Sequence, residues 1–190
     1  LSPASMGMYT VALSLSRMLN VFQSSIVTVL LPKAAARPIP EVIALTGRAA
    51  RVSMTFTLLI AGGVMLLGPF LLHLLYGNEF VGAVQVLRIL VIEVVLSSTV
   101  WVLAQAFMAA GRPGIVTLLQ GVGLGLSIPL MLVLIPPYGL EGAGIALLIS
   151  TIARLIFILL NFPMVLKVPP PSLIMTQQDY ALMRSMLGRR

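Results

Sequence analysis

Residues 115–166 read IVTLLQGVGLGLSIPLMLVLIPPYGLEGAGIALLISTIARLIFILLNFPMVL, and Glu141 and Arg154 are the only charged side chains in the run. A helix needs about 20 mostly apolar residues to cross the ~30 Å hydrocarbon core of a bilayer. The run holds two such blocks, 115–135 and 143–166. Between them stands Pro136-Pro137-Tyr138-Gly139, a cluster of the kind that ends helices and turns chains. Transmembrane β-strands would instead alternate apolar and polar residues over segments of about ten. These blocks are continuous and too long for that.

The same pattern recurs upstream. A block at 6–31 is closed by Pro32, one at 53–76 by Gly77-Asn78, and one at 86–110 by Gly111-Arg112-Pro113-Gly114. The 190-residue chain is 59% hydrophobic and 9% charged, whereas a soluble domain carries about 25% charged residues. So little polar material would not cover the surface of a soluble core. The expected fold is all-α and integral to the membrane. It has about five transmembrane helices in a membrane domain spanning 1–167, and a cytoplasmic tail over 168–190. The chain opens on Leu1. No basic region precedes the first block and no small-residue cleavage site follows it, so a signal peptide is not expected. A fragment lacking its upstream helices is the expectation.

Charge placement orients the spans. The net charge is +7, but the basic residues fall between blocks and at the C-terminus rather than in an Arg-rich stripe with interleaved aromatics, so no nucleic acid is expected. Lys33, Arg37, Arg48 and Arg51 form one group, read as a loop after the first helix. Arg112, and then Lys167, Arg184, Arg189 and Arg190, fall on the same side of a five-helix topology. Glu79 and Glu141 fall on the other, with Arg88 near them. The positive-inside rule puts the basic side in the cytoplasm, the N-terminus outside and the C-terminus inside. In the tail, Thr176 and Asp179 have capping-box spacing. Tyr180, Met183, Met186 and Leu187 then recur at helical intervals, which describes either a short amphipathic interfacial helix or a frayed tail.

Ionisable residues within spans are expensive and mark contacts that matter. In the first block Thr10, Ser14, Arg17, Ser24 and Thr28 share one arc of the helix. Arg17, with Ser14 and Ser24 beside it, reads as a cavity residue attracting an anionic substrate, or as an Arg paired with a Glu or with backbone carbonyls. In the last block Ser150, Arg154 and Asn161 share a face. Arg154 is a second forked donor suited to phosphate, or half of an internal ion pair. Glu93, with Ser97 and Trp101 one and two turns on, is a salt-bridge partner for either arginine or a carrier of a coupling proton. Gly121-Val-Gly-Leu-Gly125 has a GxxxG spacing that lets helices approach closely. Pro129 is expected to kink its helix. His73 stands without companions, and there is no cysteine, so neither a metal site nor a cofactor is expected. The chain offers no closely spaced carboxylate pair, and its serines have no base nearby in sequence, an inventory that points away from an enzyme.

Four segments carry a resemblance. They are GMYTVALSLSRMLNVFQSSIVTVLLPKAA (7–35), LLGPFLLHLLYGNEFVGAVQVLRIL (66–90), LAQAFMAAGRPG (103–114) and IPPYGLEGAGIALLIS (135–150). In this order and spacing they resemble the C-terminal lobe of polysaccharide or O-antigen flippases, members of the multidrug, oligosaccharidyl-lipid and polysaccharide exporter superfamily. The likeness covers roughly 7–166. It implies a two-lobe transporter of the bacterial cytoplasmic (inner) membrane, of which this chain holds about the second lobe. The substrate it implies is a polyprenyl-diphosphate-linked oligosaccharide, flipped by alternating access for cell-surface polysaccharide synthesis. The partners it implies are that lipid-linked substrate, membrane lipids and the missing N-terminal lobe, supplied by the same or another chain. By position, Arg17 and Arg154 are the residues that would hold the diphosphate. Two other readings stay open. One is a multidrug antiporter of the same superfamily, in which cavity acids such as Glu93 would face cationic drugs. The other is a non-transporting membrane assembly subunit, in which the polar arc is only a helix contact.

Overall fold

A computed structural model describes residues 3–35 and 37–173. The amphipathic segment expected from Thr176 onward lies outside the described residues. Five α-helices follow in order: α1 Pro3–Arg17, α2 Asn20–Ala35, α3 Ile39–Tyr76, α4 Val84–Ala109 and α5 Pro113–Asn161. A 3₁₀ turn, Asn78–Ala83, joins α3 to α4, and a π turn, Phe162–Leu166, follows α5. Among the described residues there is no strand. Three stretches, Ile39–Tyr76, Val84–Ala109 and Pro113–Leu166, are long and apolar enough to cross a membrane.

The last of these is not one rod. Ser150 Oγ donates to the Gly123 carbonyl at 2.8 Å, although 27 residues of continuous helix would hold them about 40 Å apart. The chain folds back at Gly139, whose backbone is non-helical (φ 55°, ψ −127°). That conformation carries a Cβ penalty that glycine escapes. Pro136 and Pro137 remain inside the helical stretch, so the expected end at residue 135 moves to the glycine. The two arms lie so close that a Cβ on Gly142 would overlap the carbonyl of Leu134.

Two other expectations change. The segment read as a loop around Arg48 and Arg51 is helical from Ile39 onward. Val42, Thr46, Ala50, Ser53, Thr57 and Ala61 recur on one buried face, and that continuous stripe outweighs the intervening charges. At 38 residues, α3 is about 57 Å long, well beyond the ~30 Å apolar layer. The single helix expected over 6–31 is instead divided. Leu19 N–H donates to Ser16 O and Val21 N–H to Met18 O, at 3.2 and 3.3 Å, a tightened turn between α1 and α2. Neither half, at 15 and 16 residues, has the length of a span by itself.

Two apolar cores stack along the bundle. One gathers Val42 of α3, Leu103 and Phe107 of α4, and Leu119, Ile158 and Phe162. The Phe107 and Phe162 rings meet edge-on with centroids 5.0 Å apart. The other core gathers Leu15 and Leu19, Leu72 of α3, and Leu87, Leu90 and Val91 of α4. Helices α3 and α4 therefore run antiparallel. Small residues permit their contact, as at Gly68, where an added Cβ would lie 3.2 Å from Leu87 Cδ2. The outward faces are apolar: Leu66 is 83% exposed, and Leu132 and Met164 stand free beside many other large hydrophobic side chains. Such a surface is at home against lipid and a liability in water.

Candidate functional site

Glu93 lies nine residues into α4, about 14 Å from its start and near its midpoint. It is 9% exposed. The second arm of α5 brings Thr151 and Arg154, one helical turn apart, against it. Thr151 Oγ1 donates to Glu93 Oε1 at 2.7 Å, and Arg154 Nη2 donates to Thr151 Oγ1 at 2.6 Å. Arg154 Nη2 itself stands 3.7 Å from Glu93 Oε1. The hydroxyl thus bridges an ion pair that is too long for a direct hydrogen bond. Arg154 lies across the bare backbone of Gly123 in the first arm, where an added Cβ would come within 2.6 Å of Arg154 Cδ. Arg154 Nε is buried there without a hydrogen-bond partner among the described residues.

Glu93, Gly123 and Arg154 form one wall of a cavity of about 540 Å³, with Thr151 behind it. Arg17, at the end of α1, and Asn20, at the start of α2, line the same space, as do Ser97 and Trp101 of α4 and Gln120 and Ser127 of α5. The tightened turn between α1 and α2 therefore falls at the cavity. The space holds two guanidinium groups against one carboxylate. Its lining combines hydroxyl and amide groups with the single indole of the chain. Such a lining suits an anionic, hydrogen-bonding ligand that also has an apolar face.

Of the residues singled out in sequence, Arg17, Glu93 and Arg154 come together around this cavity, and Ser14 and Ser24 do not line it. Both serines are exposed. Three hydroxyls of their arc are satisfied within their own helices: Thr10 Oγ1 donates to Met6 O, Ser24 Oγ to Val21 O and Thr28 Oγ1 to Ser24 O, all at 2.8–2.9 Å. A hydroxyl bonded in this way can face lipid at small cost. Thr10, Ser24 and Thr28 thus need no water. Asn161 turns its amide onto Phe157 O at 2.8 Å instead of toward Arg154. The GxxxG reading is also corrected: Gly121 and Gly125 have nothing within 4 Å of an added Cβ, and the close approach falls on Gly123. Thr151, Asn20, Gln120 and Ser127 were not anticipated. Of these only Thr151 carried a sequence signal, its position one turn before Arg154.

A second, open groove of about 700 Å³ lies between α3 and the proline run after α5, beside Arg48 and Arg51. Arg51 Nη1 donates there to Ser172 O and Oγ at 3.1 and 3.2 Å, which ties the start of the tail to α3. Among the described residues no group of three His, Cys, Asp or Glu side chains is placed to hold a metal ion. Comparison with protein-family models, with curated proteins and with solved structures gives no match.

Proposed function

We propose that this chain is a transport lobe that carries a phosphate-bearing amphiphile, a polyprenyl-diphosphate-linked oligosaccharide, across the bacterial cytoplasmic membrane. In this reading α1 with α2, α3, α4 and the two arms of α5 make five crossings, with the N-terminus outside and the C-terminus in the cytoplasm. One observation carries the reading: a polar cavity with two arginines and one glutamate at the mid-depth of helices whose outer faces are apolar. Charged groups at that depth are costly and persist where a substrate or partner uses them. A diphosphate would sit at the Arg17 guanidinium, with a sugar face against Trp101 and the polyprenyl tail in lipid. The four sequence segments that resemble the flippase lobe support the same substrate class.

The internal pairing of Arg154 with Glu93 favours a second reading, a non-transporting assembly subunit whose buried charges only join helices. Glycan export by the complete two-lobe protein carrying Arg17→Ala separates the two. The transport reading expects export to be lost at normal expression and folding. Undiminished export would support the assembly subunit.

A further inference from the structure

The two arginines of the cavity are not equivalent. Arg154 Nη2 donates a hydrogen bond to Thr151 Oγ1, and Thr151 Oγ1 in turn donates one to the Glu93 carboxylate. Its stem fills the slot above Gly123, and its side chain is only 15% exposed. Arg17 is exposed and, among the described residues, has neither a hydrogen bond nor an ion pair within 4 Å. Ser150, one turn before Arg154, fastens the two arms through the Gly123 carbonyl, so the slot and the guanidinium are held in register by the same pair of helices.

From this we infer that Thr151 and Gly123 are positioning residues that lock Arg154 as the standing counter-charge of Glu93, leaving Arg17, among the described residues, as the cation that the cavity offers to an anionic group. The inference rests on the transport reading for the identity of the ligand, but the lock is a property of the apoprotein. A carboxylate and a guanidinium held this way cancel most of each other's field in a low-dielectric interior. The cavity then attracts an anion chiefly through Arg17, whose field also reaches Glu93. Loss of Arg17 removes that attraction. Loss of Arg154 instead strands Glu93 as a buried, uncompensated charge. Loss of Glu93 frees Arg154 for the ligand.

The experiment measures binding of farnesyl diphosphate, as a short isoprenyl diphosphate probe, and thermal stability of the full chain in lipid nanodiscs. Arg17→Gln should weaken binding about tenfold or more, the scale of a lost charge-assisted hydrogen bond, at unchanged Tm. Arg154→Gln and Glu93→Gln should each lower Tm, and Glu93→Gln should bind the probe more tightly than wild type. The double variant Glu93→Gln/Arg154→Gln should recover most of the lost Tm and keep wild-type binding. Thr151→Val should lower Tm, and Thr151→Ser, which keeps the hydroxyl, should restore it. Additive Tm losses in the double variant, or loss of its binding to the level of Arg17→Gln, would overturn the lock. A wild-type chain that binds no probe would defeat the transport reading and the ligand role of Arg17, while the Tm cycle would still decide the lock.

Discussion

Gly142→Ala tests the reversal of α5 at its tightest point. A Cβ there would overlap the Leu134 carbonyl oxygen and lie 2.5 Å from Leu134 C and 3.0 Å from Ile135 N. A carbon facing a carbonyl oxygen ordinarily keeps about 3.3–3.6 Å. All three neighbours are backbone atoms, so no side-chain rotation relieves the overlap and the arms must part by about 1 Å. A gap of 0.5–1 Å forfeits about a quarter to a half of each van der Waals contact across it. Overpacking of this kind costs about 1–3 kcal/mol. Gly121→Ala is the matched control. It adds the same methyl in the first arm where nothing lies within 4 Å, and replacing an exposed mid-helix glycine gains up to about 1 kcal/mol. Thermal unfolding in detergent micelles or nanodiscs should rank Gly121→Ala at or above wild type and Gly142→Ala well below it. Equal stability of Gly142→Ala and wild type would refute the close antiparallel approach of the two arms.

Two further outcomes follow from the same packing. Phe107→Ala removes a fully buried ring that meets Phe162 edge-on, and should cost about 3–5 kcal/mol in the same unfolding assay. Glu41→Ala breaks the ion pair with Arg37 at 3.3 Å, in which both side chains are more than half exposed, so unfolding should register less than about 0.5 kcal/mol.

Much of the helix order was legible because chain breaks announce themselves in residue type. Gly77 and Gly111 adopt positive φ where the sequence placed helix ends, and Gly139 does so where it placed a reversal. The division between α1 and α2 was not legible. It falls on Met18 and Leu19, which carry no helix-breaking chemistry, and it shows in backbone bonds that span three residues instead of four. The helix over residues 39–52 was hidden by its arginines. Charge is a reliable marker of a membrane boundary but says nothing about whether the backbone stays helical beyond it. At the site, Arg17, Glu93 and Arg154 stood out because ionisable groups are rare within apolar blocks. The Thr151 bridge depends on two residues 58 positions apart, and no single-helix periodicity carries that information. The role of Gly123 was obscured for a related reason. A glycine spacing marks where a close approach is possible, and its partner, the Arg154 side chain, comes from the other arm.

Transport requires a wet, polar cavity at mid-depth in an otherwise lipid-facing bundle. The chain contains no cysteine, so single cysteines can be read against a clean background. The measurement is labelling of Ser97→Cys and Ser127→Cys, both at the cavity, by a small water-soluble thiol reagent in membranes, with Leu66→Cys on the outer apolar face as reference. A wet cavity gives rapid labelling at Ser97 and Ser127 and none at Leu66. Cavity positions as silent as Leu66 would contradict it.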